Sequence, residues 1–480
     1  EEGDTSMFDR RALLAAAAGA FGAAAVEDAA AGSHRGKRGG KGKNGSGGAN
    51  RRPNFVVVVL DDMRASDWQA LPETRRRLSA GTWFNNYFMN SPLCSPSRVS
   101  LLTGQNIQNH QVQDNGGHSE DGGYDAFRRQ RLETRTINYA LNRAGYRTGM
   151  IGKFLNGFKE GDWRPAGWDR WAASTGLDYT NFTLDIDGEA VEYTGAAYKT
   201  DVLRDLAVQF VENVAEAEPL FLYFTPTAPH GPAEPARRHA HAFANARVAR
   251  DYAFNEADMA DKPTPIQALP LLTAADEAAI DEDERNRLRT LLAADEAIVA
   301  ILDAMRRAGR MDDTYVFVMS DNGYMLGEHR LMQSKGFPYG PSIRVPMLAW
   351  GAGFKLSRQE RLAANVDIAP TIAALAKVPF PGADGADLLS APNRDFIPIA
   401  VSGNQQSTPG TGLRSKELMY FEYVSGEREF YDLRSDPREL VNLLPPGSSF
   451  TVESPAGLPA IGELSARSRA LARCAGTGCL

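Results

Sequence analysis

At 480 residues the chain can bury a large core, enough for one big domain and a smaller one. Its 43% hydrophobic and 24% charged residues are ordinary for a globular protein. A net charge of −7, with no nucleic-acid motif anywhere in the chain, argues against a nucleic-acid partner.

The charge is uneven along the chain. Phe8-Asp9-Arg10-Arg11-Ala12-Leu13-Leu14 precedes a weakly apolar Ala/Gly run and a small-residue site at Ala29-Ala30-Ala31. Paired arginines ahead of such a run describe a twin-arginine export signal over residues 1–32, and export to the periplasm or beyond. The run is too short and too rich in Ala and Gly for a membrane span, and an Ala-rich helix is the bland alternative. Between His34 and Arg52 stand seven Lys or Arg residues, with no carboxylate, among Gly, Ser and Asn. Such a stretch buries no core, so 33–52 reads as a flexible basic linker.

From Asn54 the pattern changes. Asn54–Leu60 is a Val-rich run short enough to be a buried parallel strand. Glu133–Gly145 carries Ile137, Leu141 and Ala144 on one helical face, and Arg147–Ile151 returns as a strand. Leu220–Thr225 is a third strand. A helix follows over about Asp283–Ala308, with Leu288, Leu291, Leu292, Val299, Leu302 and Met305 inward, and then a strand at Thr314–Ser320. Strands alternating with helices predict an α/β sandwich around a mostly parallel sheet over 53–390. Short β-like runs at Leu418–Tyr423 and Glu429–Leu433 predict a small α+β subdomain over 391–480.

Ligands of open α/β sheets gather beyond the carboxyl ends of the strands. Asp61 and Asp62 follow the first strand, His230 the third, and Asp321-Asn322 the fourth. Adjacent carboxylates after a buried strand repel each other unless a cation neutralises them. Hard oxygen ligands suit Ca²⁺ or Mg²⁺ better than Zn²⁺, with Ca²⁺ preferred. Each of these residues taken alone also suits a turn or a helix cap. The three cysteines are Cys94, Cys474 and Cys479. The last two could close a small loop as a disulfide or remain thiols. Cys94 is left unpaired either way.

Cys94-Ser95-Pro96-Ser97-Arg98, with Leu102-Thr103-Gly104 after it, resembles the signature of the type I sulfatases. The resemblance runs on through Phe55–Asp62, Gly152-Lys153-Phe154, Thr225–Gly231, Ser320–Tyr324, Ser334-Lys335-Gly336 and Tyr431–Leu433. Lys153-Phe154-Leu155-Asn156 and Asn109-His110-Gln111-Val112 are similar to segments of glucosamine-6-sulfatases. The family implies an alkaline-phosphatase-like fold and conversion of Cys94 to formylglycine by a formylglycine-generating enzyme. It implies hydrolysis of a sulfated small molecule or glycan, either a sugar sulfate such as N-acetylglucosamine 6-sulfate or an aryl sulfate.

The resemblance also implies roles. Asp61, Asp62, Asp321 and Asn322, with the modified Cys94, would hold one divalent cation. The hydrated aldehyde offers one hydroxyl to attack sulfur and a second whose collapse expels sulfate, so one hard step becomes two. Arg98 would steady the hydrate, on a helix expected to start near Pro96. Lys153 and Lys335 would meet the sulfate oxygens, and His230 would lie near the leaving oxygen with Lys335 as proton donor. Two departures stand out. Many arylsulfatases carry a histidine where Leu155 stands, which leaves His329 or His110 as stand-in bases. Gly340-Pro341 replaces a usual acidic residue. Phosphonate or phosphate ester hydrolysis is the alternative, because the same metal frame serves it.

Overall fold

The computed structural model describes residues 51–116, 121–390, 393–403, 407–448 and 452–480. The export signal, and all of the basic linker before Arg51, lie outside the described residues. Among the described residues no helix is long and apolar enough to cross a membrane.

The main sheet has ten strands, which we number with those of two smaller sheets in chain order. They are β1 (Asn54–Leu60), β2 (Thr82–Phe84), β3 (Tyr87–Phe88), β4 (Arg147–Gly152), β5 (Arg170–Ser174), β6 (Phe182–Ile186), β7 (Glu189–Tyr193) and β8 (Leu220–Thr225). After these come β9 (Thr314–Ser320), β10 (Met347–Trp350), β11 (Ser357–Gln359), β12 (Ala363–Ala364), β13 (Ile397–Val401), β14 (Gly410–Arg414), β15 (Leu418–Tyr423) and β16 (Arg428–Asp432). The main sheet runs β11-β2-β10-β9-β1-β8-β4-β5-β6-β7. Its centre, β9-β1-β8-β4-β5, is parallel throughout, while β10, β6 and β7 join antiparallel. The α/β class expected from the sequence is the one observed.

Every residue of β1 is buried, as a strand covered on both faces requires. Its side chains alternate between two layers. Phe55, Val57 and Val59 pack with the helices α1 (Cys94–Thr103), α2 (Ile137–Arg143) and, later in the chain, Ile368–Ala376. Val56, Val58 and Leu60 pack with α3 (Lys199–Asn213) and α4 (Ala274–Arg307). The chain therefore folds as a sheet between two helical layers.

The helix α4 begins nine residues before its expected start. Thr273 and Asp276 form a capping box there, and the first turns face solvent, so no apolar period marks them. Its inward face also differs. Ile298 and Ile301 are buried, while Leu292 and Val299 are only half-buried.

The second sheet, β13-β14-β15-β16, is antiparallel, and α5 (Ile461–Leu471) packs on one face of it. Cys474 and Cys479 form a disulfide, the first of the two outcomes the sequence allowed.

Gly152 ends β4 with φ +123°, and a Cβ there would lie 2.1 Å from the Thr225 carbonyl oxygen on β8. Only glycine fits beside Lys153. Gly152→Ala is expected to cost more than about 2 kcal/mol, read as a fall in thermal midpoint.

Candidate active site

The register of the parallel strands builds the site. Leu60 pairs with Ser320, so the residues after β1 and β9 leave the sheet side by side. The Asp321 N–H donates to the Leu60 carbonyl, and one Asp321 oxygen accepts the N–H groups of Asp62 and Asn322. Asp62 adopts the left-handed region at φ +70°, uncommon for a residue other than glycine and frequent at functional sites. Asp61, Asp62, Asp321 and Asn322 are all buried.

Helix α1 begins at Cys94 itself, two residues before the expected start at Pro96, with extended Leu93 as its cap residue. The free Ser95 N–H is taken by the Asn115 side-chain oxygen. The whole helix is buried, and its first turn points Cys94 at the strand ends. Cys94 Sγ lies 3.4 Å from Asp61 Oδ1 and 2.9 Å from Lys335 Nζ. Burial, reinforced by Asp61, pushes its thiol up to about 12 despite Lys153 and Lys335. At neutral pH the unmodified thiol stays protonated and is a poor nucleophile.

The expected cations converge on these carboxylates. Lys153 Nζ donates to Asp61 Oδ2 at 2.6 Å, and Lys335 Nζ to Asp62 Oδ1 at 2.5 Å. Arg98 donates to Asp321 Oδ2 at 2.8 Å and to the Lys153 carbonyl at 2.6 Å, and stands 3.7 Å from Asp61. Burial works to raise the Asp61 carboxyl, but Lys153, His230 and Arg98 hold it well below its usual value. Burial likewise opposes charge on Lys335, yet Asp62, Cys94 and Asp61 hold it well above the ordinary lysine range.

His230 sits after β8 with Nδ1 beside the Gly231 carbonyl at 2.7 Å, which leaves Nε2 facing Asp62 at 3.6 Å. Burial lowers its pKa, against the pull of Asp61 and Asp62.

The donor set fits a divalent cation. Ligand atoms of Asp61, Asp62, Cys94 and His230 all lie within 4.8 Å of one another. Asn322 Oδ1 is buried with no hydrogen-bond donor among the described residues, a cost that a cation would remove. Asp321 lies outside that four-residue group, its oxygens engaged by Arg98 and two backbone N–H groups.

Neither stand-in histidine joins the cluster. His110 places Nε2 2.9 Å from Ser100 Oγ and accepts the Val112 N–H at Nδ1, and burial lowers its pKa to about 3. His329 pairs with Glu256 at 2.5 Å and packs on Tyr339. Leu155 is a core residue. Asn156 accepts from Ser95 Oγ and donates its own N–H back, tying the segment after Lys153 to the start of α1.

Sequence reasoning missed the supports. Arg287, buried in α4, donates to the Asp62 carbonyl at 2.6 Å, and the Tyr179 hydroxyl donates to the His230 carbonyl at 2.8 Å. The one available signal was an arginine on the inward row beside Leu288.

Residues 53–378 match the family model described as Sulfatase. The chain is 30% identical over 391 residues to the extracellular sulfatase SULF-1 homolog of Drosophila melanogaster, covering 78% of this chain and 34% of that protein. It is 31% identical over 343 residues to the N-acetylglucosamine-6-sulfatase of Homo sapiens, covering 68% of this chain and 62% of that one. The chain thus spans less than two thirds of the length of either relative. A solved structure of a protein in complex with its substrate D-glucosamine-2-N,6-O-disulfate shares the fold, with TM-score 0.67 and 24% identity over 82% of this chain and 93% of that one. A signature cysteine among paired carboxylates, on this fold and with a family model matching residues 53–378, places the chain in the sulfatase family.

Proposed function

We propose that this chain, once exported, removes sulfate from a sugar or aryl sulfate ester, using a formylglycine made from Cys94 and one divalent cation, Ca²⁺ or Mg²⁺. The observation that carries the proposal is the position of Cys94 Sγ, at the start of a buried helix between the Asp61–Asp62 pair and Lys335. Asp61, Asp62, Asp321 and Asn322 would hold the cation, which would draw charge from a sulfate oxygen.

The chain's own side chains do the rest. Arg98 fixes Asp321 and the Lys153 backbone, so that these two groups are already in place as charge develops. Lys153 and Lys335 present buried ammonium groups to the sulfate oxygens, and Lys335 can give a proton to the departing alcohol. Among the described residues, with His110 and His329 held elsewhere, His230 is the imidazole at this site that can move a proton. A glucosamine 6-sulfate is the first sugar to test, since a relative that acts as an N-acetylglucosamine-6-sulfatase shares 31% of residues over 343 positions. The Asn109–Val112 resemblance reports packing, because Asn109 bonds Asp384 and the Cys474 carbonyl.

Turnover of matched aryl sulfate and aryl phosphonate by the pure protein tests the reaction class. Preference for the sulfate is expected; a clear preference for the phosphonate would favour the phosphorus-ester alternative. Export through the twin-arginine machinery rests on Arg10 and Arg11. Replacing both with Lys is expected to trap the protein inside the cell, as fractionation would show, and unchanged export would refute it.

A further inference from the structure

A cavity of about 150 Å³ opens beside the segment that follows Asp61 and Asp62 at the end of β1. Arg64, two residues beyond Asp62, forms part of its wall, as do Glu328 and Arg344 from the segment between β9 and β10. The second sheet and the loop after it add Arg414, Arg438 and Glu439.

Four guanidinium groups thus face two carboxylates. Arg64 is paired with Glu328, Arg414 with Glu439 at 2.6 Å, and Arg438 with Asp251 at 2.8 Å, outside the cavity. Arg344 has no ion pair or side-chain hydrogen bond among the described residues, and it is exposed. Arg414 Nε is buried with no acceptor, although its side chain is only 8% exposed. Unpaired donors around a pocket of this size call for an anion.

The departure at Gly340-Pro341 explains why the charge stays unbalanced. The Gly340 N–H donates to Glu439 at 2.8 Å, and a Cβ on Gly340 would come within 3.5 Å of that carboxylate. An acidic side chain at this position would set a like charge beside Glu439 and add a third negative charge to the wall. Glycine keeps the cavity cationic.

We infer that this cavity receives a second anionic group of the same substrate molecule, a sulfate or a carboxylate, and that Arg344 is the specificity-determining contact. The inference rests on the sulfatase reading above and narrows its substrate to polyanionic sugars.

The test compares glucosamine 6-sulfate, its N-sulfated form, and glucosamine 6-sulfate joined to a uronic acid, with p-nitrophenyl sulfate as the control. The holoenzyme is measured beside Arg344→Gln and Arg344→Lys. At least one doubly charged sugar is expected to be preferred about tenfold in kcat/KM, mostly through KM. Arg344→Gln is expected to erase that preference and leave p-nitrophenyl sulfate turnover unchanged, while Arg344→Lys restores part of it. The inference is overturned if no doubly charged sugar is preferred, or if the preference survives Arg344→Gln. Absence of turnover on every sulfate ester would instead overturn the sulfatase reading, and this inference with it.

Discussion

Cys94→Ala is expected to lower sulfate-ester turnover by about 10⁴-fold or more, because alanine has no thiol to be oxidised to the aldehyde whose hydrate is the proposed nucleophile. Stability should change little. The side chain is small, and Asp61 and Asp62 keep their lysine partners when the sulfur is gone. Loss of one buried heavy atom costs about 1 kcal/mol. Aryl sulfate turnover measured beside a thermal melt separates these effects. Full activity in a folded Cys94→Ala protein would refute the role of this residue.

Arg98→Ala is expected to be the most destabilising change at the site. The guanidinium is fully buried, and it serves Asp321, Asp61 and the Lys153 carbonyl at once. Removing it strands an uncompensated buried carboxylate, a change that costs about 3–5 kcal/mol. Activity should fall with it, because the backbone that places Lys153 loses its anchor. Arg98→Lys keeps the charge but cannot reach all three partners in one plane, so intermediate stability is expected. Denaturant unfolding curves of the three proteins read the order directly. An Arg98→Ala protein as stable as the parent would contradict this account of the buried network.

The sequence made the centre of the fold legible and its edges obscure, for physical reasons. Strands β1, β8 and β9 are short apolar runs buried on both faces, so composition alone marks their ends. Strand β7 escaped notice because it is mostly exposed and carries polar residues, and pairing with β6 holds it. The first turns of α4 were hidden because solvent-facing residues carry no apolar period.

The site divides in the same way. Cys94 and Arg98 lie within five residues of each other, so a local motif reveals them. Lys153, His230 and Lys335 come from distant segments and were read through resemblance. Arg287, Tyr179 and Asn115 act through backbone groups across 225, 51 and 20 positions, and no spacing rule announces such contacts. His110 and His329 show the converse. Their residue type suggested chemistry, but hydrogen bonds at both ring nitrogens account for His110, and His329 turns Nδ1 to Glu256 and packs on Tyr339, away from the cluster.

The central claim is that Cys94 works as an aldehyde and not as a thiol. A peptide mass spectrum across Cys94, from protein made beside a formylglycine-generating enzyme, measures this directly. The account predicts a peptide that has lost one sulfur and two hydrogens and gained one oxygen, in proportion to sulfatase activity. Fully active protein carrying only the thiol would contradict it.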